Sequence, residues 1–264
     1  MHIETVGFNA TAAAVAGTAA TINTGDSATI KNARMGSKIK LLDIQAFWGS
    51  LGEVRVIGPH MNDTTEGIRR QVQASLSGSV LPSVVPELFY PQDQLAITLF
   101  GTATAGEVDT GGLVIFYEDL PGISARLLAP AELQQLGVRS APVRTGALAS
   151  TADGQWSGAV ALNATTDLLK PNTAFALLGG DVSLLVGMIG VRSPDWGNVR
   201  VSFPGDVARV LGSWNYFVDL SLRSGLPCIP VLNSGNKAGI FVDCAQDDGG
   251  ANPVVHLNLV ELSS

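Results

Sequence analysis

An internal repeat constrains the fold of this chain more than any other feature of its sequence. Gly52-Glu-Val-Arg-Val56 recurs 145 residues later as Gly197-Asn-Val-Arg-Val201. Without a gap, residues 52–82 match residues 197–227 at nine of 31 positions, against roughly two expected from ordinary residue frequencies. Because such self-similarity marks copies of one structural unit, the 264 residues are predicted to form two tandem domains.

The ends of the two copies also correspond. Gly112–Leu120 resembles Val254–Leu262, and a turn rich in Asp and Gly precedes each segment. Both copies are therefore predicted to close on a strand.

One part of the repeat is out of phase. The apolar alternation at Val72, Ala74 and Leu76 does not align with the alternation that begins at Tyr216 and continues to Leu222. Because side chains of a strand alternate with period two, both segments are interpreted as strands related by a bulge or a one-residue slip.

Short segments with turn signals at intervals of about eight to twelve residues are typical of a β-sandwich or barrel. The strands predicted in the first copy are Ser27–Ile30, Lys38–Phe47, Glu53–Ile57, Gln71–Leu76, Val84–Phe89, Gln94–Phe100 and Gly112–Glu118. A short helix is predicted before the middle strand of each copy, at Asp63–Glu66 from a capping box and at Val207–Trp214 from helical spacing.

A helical linker is predicted between the copies. Pro130–Leu136 has Pro at the first helical position and Gly137 as a stop signal, as expected of a short helix. The polar stretch 139–154 then leads into the second copy.

The composition limits the classes of partner. Charged residues make up 15% and hydrophobic residues 46% of the chain, whereas about 25% is the usual charged share of soluble domains. A surface so poor in charge is either covered by neighbours or built from neutral Ser, Thr and Gly. The net charge of −7 argues against nucleic-acid binding, which needs clustered Lys and Arg.

Neither a secretion signal nor a membrane-spanning helix is predicted. The start of the chain lacks a basic segment followed by a continuous apolar core, and apolar runs such as Val182–Val191 are shorter than the roughly 20 residues that cross a bilayer. The two cysteines, Cys228 and Cys244, are predicted to be buried small hydrophobic residues and not a disulfide framework.

No catalytic, cofactor-binding or metal-binding residue is predicted. The three histidines, His2, His60 and His256, are scattered along the chain, and no motif of a nucleophilic or metal-dependent enzyme occurs. Asp93 and the run Asp247–Gly250 offer oxygen ligands for calcium, but a turn is the favoured interpretation. Core positions are the default for Trp48, Trp156, Trp196 and Trp214.

A duplicated β-sandwich of this length, weakly charged and without a catalytic cluster, resembles the double jelly-roll major capsid proteins of tailless icosahedral double-stranded DNA viruses. It is most similar to the small versions in membrane-containing bacteriophages of the corticovirus and tectivirus type. The resemblance covers essentially the whole chain and rests on the repeat and its helical connector, and on no signature motif. No functional residue is carried over from it.

The resemblance implies an all-β fold of two tandem jelly-roll β-sandwich domains with short helices and a helical linker. Residues 1–128 would be the N-terminal jelly roll with an N-terminal arm, and residues 129–264 the linker helix and the C-terminal jelly roll. The arm, 1–24, would contact neighbours or lie near the inner face of the shell. It contains no Lys or Arg, so electrostatic attraction to anionic lipid is not its mechanism.

The function implied by the resemblance is that of a structural virion protein, not an enzyme, and without a cofactor. Homotrimeric pseudo-hexagonal capsomers would tile an icosahedral shell in the virion, assembled in the host cytoplasm. The implied partners are further copies of the chain, neighbouring capsomers, penton and minor capsid proteins, and the internal membrane at the inner face, with no direct contact to nucleic acid.

Two other classes of function remain open, because a fold does not determine a function. A β-sandwich carbohydrate-binding or tail-associated adhesion module would present Trp or Tyr on one face and stay a small oligomer. A cupin-like or glycan-active enzyme is third, since the sequence has no cluster of His and carboxylate residues for it.

Overall fold

The structure is a computed structural model. It describes residues 1–11, 13–47, 52–61, 63–72, 78–79, 87–101, 108–149, 152–162, 169–183, 186–205, 213–245 and 252–263. All statements below refer to these residues.

The described residues of the first half form ten strands. They are β1 (His2–Thr11), β2 (Thr18–Ala19), β3 (Thr21–Ile22), β4 (Ile39–Phe47), β5 (Gly52–Ile57), β6 (Ile68–Val72), β7 (Gly78–Ser79), β8 (Glu87–Phe89), β9 (Ala96–Gly101) and β10 (Val108–Tyr117).

In the second half, the described residues form ten more strands and two α-helices. In chain order they are β11 (Leu127–Leu128), α1 (Pro130–Leu136), β12 (Gly137–Ser140), β13 (Val143–Arg144), β14 (Ser157–Ala161), β15 (Ala174–Val182), β16 (Met188–Arg192), β17 (Arg200–Pro204), α2 (Tyr216–Ser224), β18 (Ile229–Asn233), β19 (Phe241–Ala245) and β20 (Val255–Leu262). Short 3-10 helices occur at Pro194–Trp196 and Ser234–Gly239.

These strands form four sheets, two in each half. In the first half, sheet A has the order β3-β1-β10-β4-β7, with β8 also on β4, and sheet B has the order β2-β9-β5-β6. In the second half, sheet C has the order β14-β19-β16-β17, and sheet D has the order β11-β18-β15-β20-β12, with β13 also on β20. The pairings between the described strands are antiparallel, so the predicted all-β class is confirmed.

The two halves share one strand order. With β7 and β8 counted as one strand and β3 left out, the first half has eight main strands, and so has the second half when β12 and β13 are counted as one and β11 is left out. Sheets A and D then run first, eighth, third, sixth, and sheets B and C run second, seventh, fourth, fifth. Sheets A and D therefore correspond in strand order, and so do sheets B and C.

Sheet A lies in the interior of the molecule, and both of its faces are covered. On β1, Val6 and Phe8 belong to the core of the first half, between sheets A and B. Ile3, on the opposite face of the strand, joins the larger core that the second half forms. Nine of the ten residues of β1 and all ten of β10 are buried, as expected for strands covered on both faces.

Sheet C of the second half covers the outer face of sheet A. Ile189 and Val191 of β16 point into the second-half core, while Ser202 of β17 points the other way and bonds to Thr5 of β1. Around the same contact, a Cβ on Gly112 of β10 would lie 2.8 Å from Met188 Sδ. The sheets are therefore stacked in the order B, A, C, D.

The prediction of a strand over residues 216–222 is wrong, because this segment is helix α2. Its buried residues Tyr216, Phe217, Leu220 and Ser221 follow helical spacing, and Leu222, which the strand interpretation would bury with them, is 66% exposed. Tertiary packing selected the helical set of apolar positions over the alternating one.

The gapless alignment that suggested the repeat is wrong in its central block. It pairs β5 with the segment that enters β17, but β5 is the fourth main strand of its half and β17 the fifth. The strand that corresponds to β5 is β16, and the strand that corresponds to β17 is β6. The alignment of the closing strands, β10 with β20, agrees with the topology.

The N-terminal arm is also a wrong prediction for most of its length. His2–Thr11 pairs along its whole length with β10, and Thr21–Ile22 pairs with β1. Alternating apolar side chains on β1 fill the first-half core, which an arm outside the fold would leave open.

The linker is confirmed in part. Helix α1 spans Pro130–Leu136 with Pro at its start, and Gly137 follows as the C-cap. The polar stretch after it is not a free linker, because β12 and β13 pair with β20.

Other predicted elements differ in their limits. Strands β4, β5, β9 and β10 lie within one to four residues of their predicted bounds. Ser27–Ile30 makes one isolated bridge, from Thr29 to Gln94, and Asp63–Glu66 is a turn in which Asp63 Oδ1 accepts from the backbone N–H of Thr65 and Glu66. The helix predicted at Val207–Trp214 lies largely outside the described residues.

Candidate functional site

The histidines lie in separate parts of the fold. His60 Nδ1 is 2.6 Å from Asp93 Oδ1, and His256 Nδ1 is 2.8 Å from Asp181 Oδ1. His2 is buried, and neither of its ring nitrogens has a hydrogen-bond partner among the described residues. Burial, followed by the charges of Lys31 and the terminal amine, lowers the pKa of His2 to about 3.

The cysteines and the candidate calcium ligand occupy structural positions. Cys228 and Cys244 are both buried, as predicted, and burial raises the pKa of Cys228 to about 12. Asp93 lies in a turn and accepts a bond from the backbone N–H of Tyr90. Asp247–Gly250 lies outside the described residues. Within the described ranges, no group of three or more His, Cys, Asp and Glu side chains could hold a metal ion.

The tryptophans divide between the core and the junction of the halves. Trp196 is 1% exposed and lies in the second-half core, and Trp214 is half-buried. Trp156 is also half-buried, but it contacts the first half. Trp48 lies outside the described residues.

The densest polar site of the described structure is the junction between sheets A and C, centred on Asp26. This carboxylate, in the loop between β3 and β4, accepts from the backbone N–H of Gly7 at 2.7 Å and from Trp156 Nε1 at 2.7 Å. Its other oxygen accepts from Arg200 Nη1 at 2.8 Å. Asp26 thus joins one strand of the first half to two residues of the second.

Arg200 of β17 is the cation that pairs with Asp26 at the junction. Its Nε and Nη2 donate to the two oxygens of Asp243, at 3.2 and 3.0 Å, and its guanidinium lies 4.3 Å from the centre of the Trp156 ring. The side chain is only 8% exposed. Burial raises the pKa of Asp26, and the charge of Arg200 opposes that shift.

Two further contacts continue the junction along β17 and α2. Ser202 donates from its hydroxyl to Gln45 Oε1 at 2.6 Å and from its backbone N–H to Thr5 Oγ1 at 3.0 Å. Gln45 Nε2 donates back to the Ser202 carbonyl. On α2, the Tyr216 hydroxyl donates to Asp43 Oδ2 at 2.6 Å, and burial raises the pKa of Tyr216 well above its ordinary value.

A cavity of about 280 Å³ opens beside this junction. Its charged lining residues are Glu4, Asp26, Lys31, Arg192 and Arg200. They pair with one another or with Asp243: Lys31 with Glu4, Arg200 with Asp26 and Asp243, and Arg192 with Asp243. These ion pairs therefore join the two halves. The charges that line the cavity are neutralised by one another and by Asp243.

Apolar side chains are also exposed at one end of the first half. Met35 is 99% exposed at the tip of the turn before β4, and Leu88 and Tyr90, beside it, are about half exposed, at 47% and 52%. They line a shallow depression of about 350 Å³. Among the described residues, neither helix is long and apolar enough to span a membrane.

The comparisons with known proteins are sparse. No family model matches the chain, and no curated protein matches it. Among solved structures, the crystal structure of PBSX exported protein XepA aligns with 98% of this chain and 86% of its own, at 11% sequence identity and a TM-score of 0.28. A likeness this low identifies neither a family nor a function.

The junction residues were not predicted from the sequence. The one sequence feature that could have indicated these residues is the scarcity of charge. In a chain with only 15% charged residues, an Asp or Arg has a larger chance of making a specific contact than in a chain of ordinary charge. Asp26 and Arg200 are 174 residues apart, and no local pattern connects them.

Proposed function

We propose that the chain is a double jelly-roll major capsid protein, whose homotrimers form pseudo-hexagonal capsomers of an icosahedral virion. The observation that carries the proposal is the shared strand order, first-eighth-third-sixth and second-seventh-fourth-fifth, in both halves. Two such four-stranded sheets packed face to face are the jelly-roll arrangement, a common architecture of viral capsid domains.

The hydrogen-bonded junction between the halves supports the same proposal. A capsomer built from three chains needs six similar blocks held in fixed orientation, since closed rings depend on a fixed rotation between units. The bonds from Asp26 to Arg200 and from Thr5 to Ser202 fix that orientation within each chain.

The proposed partners are other copies of the chain, neighbouring capsomers, penton and minor capsid proteins, and an internal membrane, in the virion after assembly in the host cytoplasm. Surfaces covered by such neighbours need little charge, in agreement with the 15% charged residues.

The adhesion or carbohydrate-binding alternative has less support. Such a module presents aromatic rings on an exposed face, whereas Trp196 is buried and Trp156 stacks on Arg200 at the junction. Tyr90, 52% exposed, is the largest aromatic exposure among the described residues.

The proposal is tested by the mass of the purified protein. Light scattering across micromolar concentrations is expected to give a trimer or a larger assembly, and electron microscopy of concentrated samples is expected to show six-lobed particles. A stable monomer throughout that range would contradict the proposal.

A further inference from the structure

His2, the first residue of β1, is buried in an unusual way for a histidine. Its side chain is 0% exposed, and within the described ranges neither Nδ1 nor Nε2 has a hydrogen-bond partner. The ring is stacked on the ring of Tyr117, its register partner on β10, with 6.3 Å between the ring centres. His2 is therefore packed as a neutral aromatic side chain.

The ionisable groups around His2 come from two strands, one loop and the chain terminus. On its own strand, Glu4 lies two residues away and so points to the same side of the sheet. The Tyr117 hydroxyl of β10 donates to Glu4 Oε1 at 2.7 Å, and Lys31, from the segment before β4, pairs with the other oxygen of Glu4. The terminal amine adds a second positive charge. The carboxylate of this group is thus already paired, and the other charges near His2 are positive.

A proton on His2 is unfavourable in this arrangement. The protonated ring has two N–H donors, and both would be buried without an acceptor while the ring carries a positive charge near Lys31. A buried charge without a partner is costly. Burial, followed by the charges of Lys31 and the terminal amine, accordingly lowers the pKa of His2 to about 3. A histidine in water takes up its proton near pH 6.5.

The residues that follow His2 connect the two halves of the molecule. Ile3 belongs to the core that the second half forms, and Thr5 Oγ1 accepts from the backbone N–H of Ser202 in sheet C at 3.0 Å. The pairing of β1 with β10 begins at His2 and continues through both residues. If the His2 ring leaves its site, the start of β1 moves with it, and these contacts between the halves are weakened.

We propose that His2 makes the start of β1 an acid-sensitive switch: residues 2–5 stay paired with β10 at neutral pH and are released when the medium is acidified. Release brings the ring into water, where it takes up a proton, and the charged ring cannot return to its buried site without losing that proton. Acid therefore loosens the contact between the halves at this end of sheet A. The switch depends on the fold of the first half and not on the capsid function proposed above.

The direction of the pH effect follows from the pKa of His2 in the two states. That pKa is about 3 in the paired state and about 6.5 in the released state. The paired state therefore has its full advantage above pH 6.5 and loses it as the pH falls towards 3. Relative to about pH 7.5, the released fraction is expected to rise about tenfold at about pH 5.5 and about a hundredfold at about pH 4.5.

Hydrogen exchange followed by mass spectrometry tests the switch on the wild type and on His2→Phe. A phenylalanine ring is close in size to the imidazole and takes up no proton, and His2→Leu is a second variant of this kind. Peptides from the start of β1 report the released fraction once the rates are corrected for the intrinsic pH dependence of exchange. Peptides from β18, in sheet D, are the internal reference. His60→Gln is the matched control, because the His60 side chain is 58% exposed and paired with Asp93.

The wild type and His60→Gln are expected to show the acid-dependent increase in β1 and not in β18. His2→Phe and His2→Leu are expected to lose most of that increase. The acidic residues near the junction are the same in every variant, so their titration cancels when the variants are compared with the wild type. An increase of equal size in both His2 variants would overturn the proposal, and so would an increase that β1 and β18 share or a wild-type β1 whose exchange is unchanged at about pH 4.5.

Discussion

Sheets B and C show what one strand order becomes in two different environments. Both carry arginines on their outer face, but Arg200 on sheet C is 8% exposed and bonded to two carboxylates, while Arg69 on sheet B is 40% exposed. The same topology therefore supplies a buried polar junction in one half and a solvated charged face in the other. We therefore expect the arginines of the two sheets to differ in their contribution to stability, because their burial differs while the strand order does not.

The sharpest way to test this comparison is to remove an arginine from each face. Arg200→Ala leaves Asp26 and Asp243 buried without their main cationic partner, so the free energy of unfolding is expected to fall by about 3–5 kcal/mol. Arg69→Ala removes exposed ion pairs with Glu53 and Glu66 and is expected to cost about 0–1 kcal/mol. Urea unfolding measures both, and equal losses would refute the distinction.

A smaller effect is expected from the tyrosine hydroxyl that crosses the junction. Tyr216→Phe removes the donor to Asp43, and a hydrogen bond to a charged group contributes about 1.5–3 kcal/mol. Tyr90→Phe, at a ring 52% exposed, is the matched control and is expected to change the free energy of unfolding by less than about 0.5 kcal/mol. If Tyr216→Phe and Tyr90→Phe unfold at the same urea concentration, the Tyr216–Asp43 hydrogen bond does not contribute to stability as expected.

Close packing between sheets A and C is tested by adding one methyl group. A Cβ at Gly112 would lie 2.8 Å from both Met188 Sδ and Thr5 Cγ2, so Gly112→Ala is expected to cost about 1–3 kcal/mol through overpacking. At Gly101 in sheet B the nearest atom is 3.5 Å away, and Gly101→Ala is expected to stay within about 0.5 kcal/mol of the wild type. If Gly112→Ala leaves the free energy of unfolding unchanged, sheets A and C are not closely packed at this position.

The smallest effect is a difference in pH dependence between two carboxylates. Burial raises the pKa of Asp26, so its protonation favours the folded state. Relative to Asp26→Asn, the wild type should gain stability as pH falls through that raised pKa, with the gain complete below the ordinary value of 3.8.

Glu261 is expected to behave in the opposite way. The hydrogen bond from Arg139 holds the pKa of Glu261 below its ordinary value of 4.5. Relative to Glu261→Gln, the wild type should have its full advantage above pH 4.5 and lose it as pH falls through the lowered pKa. Urea unfolding of the three proteins between about pH 3 and pH 7 measures both slopes, and slopes of equal sign would contradict the assignment.

Local patterns predicted much of the fold. The alternating apolar residues of β4 and β5 and the Pro and Gly that bound α1 were sufficient to place these elements. The all-β class also followed from the sequence. The positions of the individual strands within their sheets did not.

The wrong predictions have a common cause. Residues 216–222 carry both an alternating and a helical set of apolar positions, and only the contact of Tyr216 and Phe217 with the core selects the helix. Similarly, the alternation of Val6, Phe8 and Ala10 is compatible with a strand, but it does not show that His2–Thr11 pairs within the fold, since its partner β10 lies about 100 residues away.

The sequence by itself determined the all-β class, the linker helix and the scarcity of charge, because each depends on residue type and short-range spacing. Only the tertiary structure decided which strands correspond, which face of each sheet is covered and that Asp26 meets Arg200. These features depend on contacts between residues far apart in the chain, and the free energy of such contacts comes from burial and geometry that no local pattern encodes.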